Sequence, residues 1–173
     1  GFARTSDGGQ TWSRGSVATS EDVLGVSFPT ATEGFALDVS GGLFRTGDSG
    51  ATWRALDTGT TARPAAVEAP SNQIAIIAGP KGLRRSTDAG DTFTTVSGSV
   101  NKSVLDDIDG AGSALFAFGP QDVWRSTDKG KTWTSVRKPG KYVKKNGKSR
   151  NTKGVRHVDF VNANTGYFLD TSG

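Results

Sequence analysis

Asp106, Asp107 and Asp109, with Asp22 elsewhere in the chain, are the side chains whose type and spacing could do chemistry. Two carboxyl groups held about 5–10 Å apart can cleave a glycosidic bond, one as acid and the other as nucleophile or base. Strand alternation sends Asp107 and Asp109 to one side and Asp106 to the other, so the expectation is a solvated or turn-capping role and no catalytic residue is assigned. His157 is the only imidazole and falls in an apolar inner-strand pattern, where a hydrogen-bonded structural histidine is expected. With one His and no Cys the chain has no thiol nucleophile, no disulfide framework and no thiolate metal site, so neither metal nor cofactor is expected. Calcium-loop and phosphate-loop motifs are absent from the sequence.

The second chemical signal is charge. Nine basic residues and no acidic one fall between Arg137 and Arg156, against a formal net charge of +4, so the remainder of the chain carries −5. The segment 138–153 mixes Lys with Gly, Asn and Ser and cannot build a core of its own, so it is expected to be a loop. Lys141, Tyr142, Lys144, Lys145, Lys148, Arg150 and Lys153 are its candidate binding residues, suited to an acidic protein surface or an anionic polymer. Interleaved stacking aromatics are missing, which argues against nucleic acid. No apolar run approaches the 18 residues of a membrane-spanning helix.

The elements that position these groups repeat. Arg4-Thr5-Ser6-Asp7-Gly8-Gly9-Gln10-Thr11-Trp12 returns at Arg45 to Trp53, Arg85 to Phe93 and Arg125 to Trp133, with the aspartates 41, 40 and 40 residues apart. In a sequence rich in short strands, that period means one four-stranded blade per repeat. Gly9, Gly50, Gly90 and Gly130 are placed where a turn needs positive φ. Asp7, Asp48, Asp88 and Asp128 can accept hydrogen bonds from the same turn, and the ring that follows is expected to pack on a neighbouring sheet.

These residues resemble the Asp-box, or bacterial neuraminidase repeat, whose pattern is Ser-x-Asp-x-Gly-x-Thr-Trp; Gly47, Thr87, Thr127 and Phe93 depart from it. The resemblance implies an all-β β-propeller of about four four-stranded blades, part of a six- to eight-bladed ring, with each box on the hairpin joining third and outer strands. The expected organisation is one domain over 1–173, with repeats near 1–41, 42–81, 82–121 and 122–173. The expected inner strands include Val23 to Phe28, Ala65 to Ala69, Val104 to Ile108 and Val155 to Phe160. Gly1 to Ser16 matches the outer half of a blade and Val155 to Asp170 the inner half, so the ring either closes through these two pieces or continues in further blades.

Val26 to Val39 and Val158 to Thr171 narrow the resemblance to Asp-box propellers of the photosystem II assembly-factor type. It implies an extracytoplasmic binding scaffold without catalysis, its partner held on the face opposite the boxes. Glu21, Asp22, Pro80, Lys81, Lys102, Gln121 and Asp122 are placed on that face. The alternative is a carbohydrate-active hydrolase. A sialidase would need three arginines around the substrate and a Tyr nucleophile with its Glu, for which Tyr142 and Tyr167 lack the context.

Overall fold

Strand-length runs of β-branched and aromatic residues, cut by Gly- and Asp-bearing turns, fold as antiparallel meanders. The computed structural model describes residues 1–120, 122–137 and 155–170. β1 (Phe2–Arg4) pairs with β2 (Ser13–Gly15). A first four-stranded sheet follows in chain order: β3 (Val23–Ser27), β4 (Gly34–Asp38), β5 (Leu43–Thr46) and β6 (Arg54–Leu56). The second is β7 (Ala66–Ser71), β8 (Ile74–Gly79), β9 (Gly82–Ser86) and β10 (Thr94–Thr95). The third is β11 (Asp107–Ala111), β12 (Ala114–Phe118), β13 (Val123–Ser126) and β14 (Thr134–Arg137). β15 (Val155–Asn162) and β16 (Thr165–Asp170) form a last hairpin.

The second strand of each full sheet shows why this is a propeller rather than a set of half-wet sheets. β4 and β12 are buried at every position, and β8 at all but its first. Side chains of a strand alternate between faces, so burial throughout requires cover on both sides. β8 supplies that cover in both directions. Ala75 and Ile77 join Phe35, Leu37, Leu43, Val67 and Phe93 in the core toward the first sheet. Ile76 and Ala78 join Leu83, Val100, Leu105, Leu115 and Trp124 toward the third. One strand thus serves two inter-blade cores.

Most expected strands stand where the repeat puts them, but one inner strand does not. It was expected at Val104 to Ile108 and begins at Asp107. A 3-10 turn at Ser99–Lys102 comes first, Val100 and Leu105 are buried between the second and third sheets, and the Leu105 N–H donates to the Gly79 carbonyl at 3.1 Å. The stretch before Asp107 is used to seal two blades together, which displaces the ladder toward the turn at Gly112.

β1–β2 and β15–β16 are two separate two-stranded sheets, and no described ladder joins β1 to β16. No helix among the described residues is long and apolar enough to cross a membrane.

Candidate functional site

Two groups of carboxylates stand out, one bonded within the box turns and one gathered around a cavity. In the turns, Asp48 accepts from Thr46 Oγ1 (2.8 Å), the Thr52 N–H (2.8 Å) and Thr52 Oγ1 (2.6 Å), while the Gly50 N–H donates to Thr46 Oγ1 (2.9 Å). Asp7, Asp88 and Asp128 accept the same three bonds from Thr5 and Thr11, Ser86 and Thr92, and Ser126 and Thr132. Gly9, Gly50, Gly90 and Gly130 sit at φ of 92°, 88°, 91° and 77°, as their places in the repeat require. The residue just before each glycine is left-handed too, with φ of 71° at Gly8, 64° at Ser49, 59° at Ala89 and 55° at Lys129. The indoles of Trp12, Trp53 and Trp133 donate back to the carbonyls of Gly9, Gly50 and Gly130 at 3.0–3.1 Å. Trp12 departs from the expected packing and is 61% exposed, whereas Phe93 is buried.

Hydrogen bonds from the threonine hydroxyls and backbone hold Asp7, Asp48 and Asp88 down at about 2; burial works against them at Asp128, yet its threonine and serine bonds still leave it at about 2. A carboxylate depressed in the folded state adds stability above its ordinary value near 3.8, and that stability is lost as pH falls through the folded value. Thermal unfolding should therefore show a steep loss of melting temperature between about pH 4 and about pH 2; a flat profile there would rule out the four turns as acid-sensitive stitches.

The second population lines a cavity of about 490 Å³ at the inner strands, walled by Leu24 to Val26, Ala65 to Glu68, Asp106 to Asp109 and Asp159. Asp106, Asp107 and Asp109 all border this space, but only Asp109 and Asp107, two apart in β11, act on the charge of Glu68, in keeping with the expected alternation. Asp106 lies one residue ahead of β11, its N–H bonded to the Phe118 carbonyl. Asp22 is not among the lining residues; its backbone carbonyl accepts from the Val39 N–H.

Glu68 is the residue that sequence reasoning missed. Its Oε2 accepts from Ser27 Oγ at 3.1 Å, and Ser27 Oγ accepts in turn from the Ala69 N–H at 2.9 Å, so β3 is tied to β7. Burial pushes the Glu68 carboxyl above its ordinary value; the Ser27 bond opposes this, and Asp109 and Asp107 add to it. Burial raises Asp106 as well. The signal was available in register: Ser27, Glu68, Asp109 and Asp159 face Phe35, Ile76, Phe116 and Tyr167 on the adjacent strands, so they are equivalent positions in four repeats. Among the described residues no group of three or more His, Cys, Asp or Glu could hold a metal ion.

The strand order places the box turns and the first hairpin of each blade at one edge. The Ser49 N–H donates to Thr32 and the Ala89 N–H to Gln73, bonding the two turns directly. Glu21, Pro80, Lys81, Lys102 and Asp122 fall in the connections at the other edge. There Asp38 ties the β4–β5 turn. Burial alone would raise its carboxyl, but bonds from Ser40, Thr19 and Gly42 leave it lowered. Gln121 lies outside the described residues, as do Lys141, Tyr142, Lys144, Lys145, Lys148, Arg150 and Lys153, together with the side chain of His157. Tyr167 is described and exposed.

The sequence matches the family described as photosynthesis system II assembly factor YCF48 over residues 4–154. Among solved structures it is similar to YCF48 bound to D1 peptide, with 22% identity, a TM-score of 0.58, and coverage of 69% of this chain and 42% of that one. An ancestral GH74 enzyme is similar at 18% identity and a TM-score of 0.65, over 86% of this chain and 22% of that one. The GH74 xyloglucanase of Xanthomonas campestris gives 25% identity and a TM-score of 0.52, over 78% and 21%. This chain therefore spans less than half the length of each of these three structures. No curated protein sequence matches it.

Proposed function

The chain belongs to the photosynthesis system II assembly factor YCF48 family, and from that premise we propose that it is a non-catalytic propeller scaffold that holds a segment of a partner protein. The match over residues 4–154, which takes in all four box turns and the basic insertion, is the observation that carries this reading. The peptide bound to YCF48 supports a polypeptide segment as the partner. Each box aspartate accepts three hydrogen bonds within its own turn, which accounts for it as part of the hairpin. Extracytoplasmic placement belongs to the same proposal and rests on the resemblance alone.

Attraction is assigned to Lys141, Lys144, Lys145, Lys148, Arg150 and Lys153, with Tyr142 as an apolar contact. Binding of a fluorescent D1 peptide, followed by anisotropy, should weaken as salt is raised from about 50 to about 500 mM. Changing the six cations to Gln should weaken it by about tenfold or more at low salt and flatten the salt dependence. An unchanged slope would remove the insertion from the site, and failure of any anionic peptide to bind would remove the scaffold reading.

The cavity carboxylates give the hydrolase reading its one specific support, because burial raises both Glu68 and Asp106 at a common space. Incubation with xyloglucan should release no reducing ends. Release that is abolished by Asp106→Asn would overturn the non-catalytic proposal.

A further inference from the structure

Outer strands of neighbouring blades are latched where the repeat supplies the residues for it. Between the first and second sheets Arg54 Nη2 lies 2.6 Å from Asp91 Oδ1. Leu56 fills the space below that box turn, where a Cβ added at Gly90 would come 2.6 Å from Cδ1. Between the second and third sheets Arg85 Nε donates to the Lys129 carbonyl at 2.8 Å, and Val96, which takes the place of Leu56 in the repeat, is buried.

Where the β1–β2 hairpin meets the first sheet, those residues are exchanged. Ser13 stands in the place of Arg54, Ala51 in that of Asp91 and Gly15 in that of Leu56. Ser13 and Ala51 cannot form an ion pair. The Phe2 ring instead lies over Gly15 and Gly50, edge-on to Trp53 with centroids 5.6 Å apart. Beside the ring a cleft of about 380 Å³ is left open, lined by Arg4, Ser13, Arg14, Ser16 and residues 48–51 of the box turn.

The charges in this cleft are not spent on one another. Arg45, the counterpart of Arg4 in the first sheet, is paired with Glu33 at 2.6 Å, and Arg125 in the third sits 6.0 Å from the Phe116 ring centre. Arg4 and Arg14 are exposed, and neither makes a hydrogen bond or ion pair among the described residues. Asp48, the one carboxylate among the lining residues, accepts three bonds within its own turn. A guanidinium presents a planar fork of N–H donors that matches a carboxylate, and an aromatic ring beside it gives an apolar body something to lie on. The volume is that of a small-molecule site.

We propose that this cleft binds a small organic carboxylate, its charged end held by Arg4 and Arg14 and its apolar body laid against Phe2. The hydroxyls of Ser13 and Ser16 are placed to add hydrogen bonds at the rim. The site lies beside a box turn, is separate from the insertion, and stands whatever segment the propeller holds elsewhere.

Benzoate titrated into the protein and followed by NMR tests this. The Phe2 ring, the Arg4 side chain and the amides of residues 49–51 should shift together and saturate with a midpoint of about 10 mM or tighter. Benzamide, of the same shape without the charge, should bind at least about tenfold more weakly, and inorganic phosphate, which has no apolar body, more weakly than benzoate. Arg4→Gln, at an exposed position, should weaken benzoate about fivefold or more. Ser13→Arg combined with Ala51→Asp rebuilds the pair seen at Arg54 and Asp91 and should abolish saturation by closing the cleft. Shifts that stay linear to about 100 mM would overturn the site. Unchanged benzoate affinity in Arg4→Gln or in the rebuilt pair would overturn it as well, and should the double variant not fold, Arg4→Gln alone decides. Phosphate or benzamide binding as tightly as benzoate would overturn the assignment to an organic carboxylate.

Discussion

Phe35→Ala should lower the melting temperature by about 10 °C. Phe35 is fully buried in β4 and belongs to the core between the first and second sheets. Its ring lies under the box turn of the following blade, where a Cβ at Gly90 would come within 3.1 Å of Cε1. Removing a buried ring costs about 3–5 kcal/mol, because the lost transfer energy is joined by a cavity that a rigid sheet fills poorly. For a domain of this length each kcal/mol moves the midpoint by about 2–4 °C. Val26→Ala, in the neighbouring strand but about half exposed, should move it by no more than about 2 °C and serves as the control. A Phe35→Ala midpoint within about 2 °C of the parent would show that the inter-blade core does not carry the fold.

Gly82→Ala should cost about 2–4 kcal/mol through two separate effects. Gly82 opens β9 at φ 77°, a conformation that a side chain strains. A Cβ there would also stand 2.5 Å from the Cα of Asn101, in the 3-10 turn that seals the next blade, and backbone cannot swing aside as a side chain can. Gly112→Ala separates the two terms. Gly112 has φ 62° with nothing within 4 Å of the added carbon, so only the strain remains, at about 1 kcal/mol. Denaturant unfolding of both variants gives the difference directly. Equal losses would mean that the contact with Asn101 yields at no cost.

How much of this was legible in the chain depends on how far apart the interacting groups lie. The box turns were legible because every bond in them closes within four residues: Thr46 to Gly50, Asp48 to Thr52. Their glycines were legible for the same reason, since positive φ is demanded locally. The residue before each glycine was not identified as left-handed, although Gly8 stands there in the first copy; Ser49, Ala89 and Lys129 give no residue-type signal. Exposure of Trp12 was hidden because it depends on which blade stands beside it, and nothing in its own hairpin says that.

The cavity was harder still. Glu68 meets Ser27 across 41 residues, and neither sits in a motif; only the alignment of inner strands shows that they are equivalent positions. The start of β11 at Asp107, three residues later than the pattern of residue types suggests, was hidden as well. That late start has its own cause in Val100 and Leu105, whose burial between blades outweighs the extended pattern of their residues.

By itself, then, the order of residues determined the blade: its period, its four-strand meander and its self-fastened acidic turn, all of which arise from contacts a short chain segment makes with itself. Tertiary structure alone decided which carboxylates share a cavity, which glycines press on a neighbour and which ring is left uncovered. Those depend on the packing of one blade against the next, where non-directional apolar burial sets the spacing and polar groups take the environments that remain.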